Sequence, residues 1–87
     1  MFVLVSYDVA TKEAAGQGRL RRVAKACKDY GLSHIQYSAF RGPLTSTLRS
    51  ALFARLEDAL GEKPGRILVV PLCAKDVEDS REVNCAP

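Results

Sequence analysis

A chain of 87 residues with 13 lysines and arginines against 10 acids has a formal charge of +3, and 47% of it is hydrophobic. This composition excludes an intrinsically disordered chain, and no window approaches the roughly 18 apolar residues that span a bilayer. The size sets one domain over residues 1–87, and a domain this short buries only about 60–65% of its unfolded surface, so it gains from self-association.

Residues 2–9, Phe-Val-Leu-Val-Ser-Tyr-Asp-Val, are aliphatic, β-branched and aromatic, and read as a buried strand. The chain is apolar from Met1 onward, with no basic leader and no small-residue cleavage site, so no signal peptide and no membrane association are expected, and the cytoplasm is the expected place. Residues 10–18, with Thr11, Gly16 and Gly18, read as a loop entering a helix. From Arg19 to Tyr30, Leu20, Val23, Ala24, Cys27 and Tyr30 recur at helical spacing, and Gly31 supplies the stop. Residues 34–41 read as one strand or the start of a tight hairpin, broken by Gly42-Pro43. Thr45 or Ser46 caps a second helix with Leu48, Ala51, Leu52, Leu56, Ala59 and Leu60 as its apolar stripe, ended by Gly61 and Pro64. Residues 66–72 form another strand, and Pro71 places its end at an edge. The charged tail from residue 74 is expected to add a short edge strand, in its own sheet or a partner's. Cys27, Cys73 and Cys85 form no C-x-x-C pair and are expected as reduced thiols.

The element order is β-α-β-(β)-α-β, an α+β, ferredoxin-like split βαβ arrangement. It places two helices on one face of an antiparallel sheet, with a core over about residues 1–73 and a tail over 74–87. The sheet face that neither helix reaches needs a cover, and a second copy of the chain is the simplest one.

Three groups of residues could carry chemistry. Asp8 is an acid in an apolar strand beside Tyr7, and a buried carboxylate costs several kcal/mol unless compensated. Three compensations are open: backbone N–H groups of the following loop, a nearby arginine, or a hard cation such as Mg²⁺. Two Asp8 carboxylates facing each other in a symmetric dimer would favour the cation. Asp8 and Tyr7 are therefore the candidate catalytic residues, with Asp8 the candidate metal ligand. Arg19, Arg21, Arg22, Lys25 and Lys28 fall within ten residues with no acid before Asp29. They form a basic helix face suited to phosphate contacts without sequence reading. His34 through Arg41 supply lesser candidates. His34 is the lone histidine and a possible acid–base group. Of Tyr37 and Phe40 at least one is core and an exposed one could stack a base. Ser38 and Arg41 complete the set. No phosphate-cradling or dinucleotide-binding glycine motif is present.

Taken together, several segments resemble the CRISPR-associated protein 2 family over about residues 1–73. They are Tyr7-Asp8-Val9, Lys28-Asp29-Tyr30-Gly31-Leu32, Ile35-Gln36-Tyr37-Ser38-Ala39-Phe40 with Gly42 and Leu44, and Arg66 to Cys73. The resemblance implies a ferredoxin-like homodimer in which the last strand, here residues 75–84, crosses to the other subunit. It implies an adaptor that carries duplex DNA and bridges CRISPR integrase dimers during spacer acquisition. It also implies Mg²⁺-dependent endonuclease activity on RNA or duplex DNA, with Asp8 at the position of the family's metal-binding aspartate. The chain departs from many members in having His34 in place of a basic residue and Arg41 after Phe40. A toxin-type endoribonuclease of related fold and a non-catalytic nucleic-acid-binding module are the alternative readings.

Overall fold

The structure, a computed structural model, describes residues 1–10 and 14–85. The elements run β1 (Phe2–Val9), α1 (Ala14–Asp29), β2 (Ser33–Gln36), β3 (Ala39–Pro43), α2 (Ser46–Leu60), β4 (Gly65–Leu72) and α3 (Ala74–Asp79). The strands form one antiparallel sheet of order β2-β3-β1-β4, so the ferredoxin-like topology expected from the sequence is the fold.

Strict alternation along β1 decides how the sheet is used. Val3, Val5, Tyr7 and Val9 are buried beneath the helices, packed with Val23, Ala26 and Cys27 of α1 and Leu52, Leu56 and Ala59 of α2. Phe2, Leu4, Ser6 and Asp8 point to the opposite face. The register carries that division to the neighbours: Leu4 stands opposite Arg41 and Val70, Ser6 opposite Ala39 and Leu68, and Asp8 opposite Arg66. Leu68 and Val70 remain 52% and 39% exposed on the open face.

Local chemistry fixes most boundaries. Thr45 caps α2, its hydroxyl accepting the Leu48 N–H at 3.2 Å. Gly31 and Gly61 take the positive φ values, 81° and 69°, that end the two long helices. Pro71 sits next to the end of β4, an edge strand, where its missing N–H costs no ladder bond.

Four expectations are revised. Helix α1 starts at Ala14 rather than Arg19, taking in Gly16 and Gly18. Each glycine weakens a helix by about 1 kcal/mol, but packing against the sheet outweighs that propensity. The part of the expected loop at 11–13 lies outside the described residues. The run broken at Gly42-Pro43 in the sequence reading instead continues as β3 through both residues. A side chain on Gly42 would crowd Leu32, its Cβ lying 3.0 Å from Leu32 Cδ2, so the glycine serves a close approach. In α2, Leu48 and Ala51 face solvent, not the core.

The fourth revision concerns the expected C-terminal edge strand. The chain after β4 forms α3, followed by residues 80–85 without regular structure. Asp76 accepts the thiol and then the backbone N–H of Cys73, both at 3.1 Å, which caps the helix and, the thiol bond first, holds the Asp76 carboxyl below its ordinary range. Lys75 and Asp79 add an i,i+4 pair. These local bonds favour a helical turn over a ladder.

Candidate functional site

Asp8 is the next-to-last residue of β1 and lies on the open face of the sheet, exposed. Its solvation removes the need for compensation inferred from the apolar strand: among the described residues its side chain enters no ion pair and no hydrogen bond. On one side of it runs the start of β4, with Arg66 directly across the ladder. On the other side lies the β2–β3 turn, tied to β1 by the Tyr7 N–H donating to the Ser38 carbonyl at 3.0 Å. Tyr37, at the tip of that turn, is 80% exposed.

Tyr7 does not share this site. One residue from Asp8 along a strand, it points to the helix-covered face and is buried. Its ring stacks with Phe40 at 6.3 Å and its hydroxyl is 3.5 Å from the Tyr37 carbonyl. Burial, then the neighbouring Cys27 and Tyr37, pushes its hydroxyl above the ordinary tyrosine value. A catalytic role beside Asp8 is therefore withdrawn for Tyr7.

His34 is likewise separated from Asp8. It pairs with Phe40, which pairs with Val5, so its ring lies on the helix side of the sheet. That ring stacks on Phe40 at 4.4 Å with the planes 7° apart, and Nε2 is 3.1 Å from the Tyr37 carbonyl. An acid–base pair of His34 with Asp8 would need groups on opposite faces to meet. Phe40 is fully buried and cannot stack a base; of the two aromatics, Tyr37 is the available one. Ser38 serves through its carbonyl. Arg41 is on Asp8's face but opposite Leu4, four residues along β1 and so about 13 Å away.

The basic helix face is smaller than its sequence suggests. Arg19 is 7% exposed, and its guanidinium donates to the carbonyls of Leu60 (3.0 Å), Lys63 (3.1 Å) and Pro64 (2.9 Å). Its donors close the α2–β4 connection and are not offered to phosphate, so Arg19 leaves the set of nucleic-acid contacts. Arg21, Arg22, Lys25 and Lys28 are exposed. Lys25 pairs with Asp29 at 3.1 Å, and Asp29 is joined more closely, at 2.7 Å, to Arg55 of α2. Those bonds, Arg55 first, hold the Asp29 carboxyl below its ordinary value.

No group of three or more His, Cys, Asp or Glu side chains converges among the described residues. Among the described residues Asp8 thus stands alone, and one carboxylate, or two where two copies meet, together with waters and substrate phosphate is a donor set that a hydrated Mg²⁺ accepts.

The family described as CRISPR associated protein Cas2 matches residues 1–80 of this sequence. The chain is 41% identical over 84 residues to the CRISPR-associated endoribonuclease Cas2 of Desulforudis audaxviator, an alignment covering 97% of this chain and 74% of that protein. This chain belongs to the Cas2 family. Streptococcus pyogenes Cas2 superposes with a TM-score of 0.84 at 36% identity, over 97% of this chain and 100% of that one. The CRISPR-associated endonuclease Cas2 of Halalkalibacterium halodurans is 38% identical over 72 residues, covering 83% of this chain and 74% of that protein. The hypothetical protein TT1823 from Thermus thermophilus has a TM-score of 0.77 at 21% identity, over 99% of this chain and 93% of that one, and shares the fold. As a Cas2 family member, the chain is CRISPR-associated.

Proposed function

We propose that this Cas2 family chain is a homodimeric CRISPR adaptation protein that binds duplex DNA or RNA and hydrolyses phosphodiesters at Asp8. The observation that carries the proposal is the open sheet face. It presents an apolar patch of Leu4, Leu68 and Val70, with one solvated carboxylate, Asp8, at its end. An uncovered apolar sheet face is a surface for association. Two copies closing through it would cover Leu68 and Val70 and bring two Asp8 carboxylates toward one axis. The segment after α3, with Val83 almost wholly exposed, is free to exchange between subunits.

In the dimer, Arg21, Arg22, Lys25 and Lys28 lie on the outer surface and hold the phosphate backbone without reading sequence. Asp8 of each subunit would hold Mg²⁺, which supplies water activation and charge neutralisation at a phosphodiester. Bridging of the CRISPR integrase for spacer acquisition uses the dimer and its cationic surface and needs no cleavage. The protein acts in the cytoplasm; no helix among the described residues is long and apolar enough to cross a membrane.

Asp8→Ala tests the proposal. Divalent-dependent cleavage of single-stranded RNA and duplex DNA is expected to vanish, and integration with the co-purified integrase to persist. Undiminished cleavage by the variant, with contaminating nuclease excluded, would remove Asp8 from the reaction. The single carboxylate per chain also favours a second reading, an adaptor with no cleavage of its own. Wild-type protein inert on both substrates but active in integration would establish it.

A further inference from the structure

The antiparallel register sets Arg66, the second residue of β4, directly opposite Asp8. Directly paired residues share a face, with Cβ atoms about 4.5–5.5 Å apart. Both side chains are exposed, yet among the described residues they make no ion pair, and no hydrogen bond engages Arg66. A guanidinium within reach of a carboxylate, with no bonded partner among the described residues, has donors available to a third party.

This geometry is held rigidly from behind. Arg19 fastens the carbonyls of Leu60, Lys63 and Pro64, the residues leading into β4. Gly65 then passes so close to its surroundings that a Cβ there would lie 2.8 Å from Leu60 Cδ1 and 3.4 Å from the Asp8 carbonyl oxygen. The start of β4 is thereby locked against the end of β1, and the stem of Arg66 with it.

We propose that Arg66 binds the nucleic-acid phosphate next to Asp8, orienting the phosphodiester for the cleavage centre. Arginine suits this place because its planar fork meets two phosphate oxygens at once. A carboxylate alone would repel the substrate it acts on. The adjacent cation reverses that local sign, and Arg41, about 13 Å further along the sheet, is too distant to do so. The proposal rests on the reading of Asp8 as the cleavage centre, and it extends the nucleic-acid surface from the basic helix to the Asp8 end of the open face, beyond the Leu4, Leu68 and Val70 patch through which two copies would close.

The experiment is a salt titration of binding in EDTA, with single-stranded RNA and duplex DNA oligonucleotides as probes. Wild type, Arg66→Gln, Arg66→Lys, Asp8→Ala and the Asp8→Ala/Arg66→Gln double variant are compared. Arg66→Gln is expected to reduce the salt slope by about 0.9 per contact on duplex DNA and about 0.7 on single-stranded RNA, so that a tenfold drop in salt, from about 1 M to about 0.1 M, strengthens its binding about 8-fold and about 5-fold less than wild type's. Arg66→Lys should restore the slope, because a lysine still neutralises one phosphate. The same loss should appear when Arg66→Gln is added to Asp8→Ala, which shows that Arg66 meets the ligand itself and does not act through the carboxylate. An unchanged slope for Arg66→Gln, or a loss that disappears in the Asp8→Ala background, overturns the proposal. If Asp8→Ala still cleaves while Arg66→Gln loses its slope unit, the cleavage reading fails and the phosphate contact stands.

Discussion

The two faces of the sheet are built from alternate residues of the same strand, and they differ in what their side chains are for. Val3, Val5, Tyr7 and Val9 are sealed against α1 and α2, where every exchange is felt by packing. Leu4, Ser6 and Asp8, interleaved with them, lie on a surface no helix covers. Neighbours in sequence thus answer to different constraints: the odd positions make the domain, and the even ones line the uncovered face that the proposed dimer would close. A strand whose even positions served only solvation would be polar there. Here Leu4, Leu68 and Val70 are apolar, interrupted by Ser6 and Arg41, and an acid and a cation stand opposite each other at one end, Asp8 and Arg66.

A matched pair of carboxylates tests that division with the largest effect. Val5→Asp buries a charge in the core at a cost of several kcal/mol, comparable with the roughly 5–10 kcal/mol that holds a small domain together. It is expected to yield unfolded protein by circular dichroism. Val70→Asp places the same group on the open face. It should leave the fold intact but shift sedimentation to the monomer at micromolar concentration. A folded Val70→Asp dimer would show that the association surface lies elsewhere.

Two arginines two residues apart on α1 give the next contrast. Arg19→Ala leaves three carbonyls without their donor, and bonds to a charged group are worth about 1.5–3 kcal/mol. A loss of about 2–3 kcal/mol in denaturant unfolding is expected, with the salt slope for duplex binding unchanged. Arg21→Ala should do the opposite: stability within about 0.5 kcal/mol of wild type and a slope reduced by about one. Equal effects from both would return Arg19 to the nucleic-acid surface.

These contrasts also mark how far the sequence could be read. Residue periodicity located β1 to the residue, named the caps of α2 and gave the sheet its order of elements. A basic cluster by itself cannot say which cation turns inward. Arg19 is separated from its exposed neighbours by the carbonyls at Leu60, Lys63 and Pro64, more than 40 residues away. Likewise the apolar context of Asp8 suggested burial, because a strand's hydrophobic average hides which face each residue takes. Arg66 escaped notice for a related reason. Its significance lies in the β1–β4 register, which a tertiary pairing sets and no local pattern records. Tyr7 is a candidate by its place beside Asp8 and Phe40 as one of two aromatics three residues apart, and parity along the strands places both in the core. Within its own sheet the tail adds no strand among the described residues, since the bonds between Cys73 and Asp76 start α3 over Ala74–Asp79, and a strand added to a partner's sheet is a matter for the dimer.

The smallest expected effect concerns the tie between the helices. Asp29 at the end of α1 receives Arg55 of α2 at 2.7 Å and Lys25 at 3.1 Å, both in solvent. The Arg55 bond, then the Lys25 bond, lowers its folded pKa below that of the unfolded chain. A depressed carboxylate contributes stability above the unfolded value, and that contribution is lost as pH falls through the folded one. Wild type should therefore lose part of its stability below about pH 4, where an unfolded aspartate takes up its proton. Asp29→Asn cannot make that transition. Its unfolding midpoint should change less between pH 5 and pH 3 than wild type's, while at neutral pH the two differ only slightly, because exposed ion pairs are screened. Cys27 supplies an internal check in the same samples. Burial pushes its thiol up to about 11, so it should resist a thiol reagent at neutral pH while exposed Cys73 and Cys85 react. Reaction of Cys27 at pH 5 or pH 3 at the rate of the other two would mean that the α1–sheet core has opened, so that any acid effect seen there belongs to general unfolding, not to the Asp29–Arg55 bond.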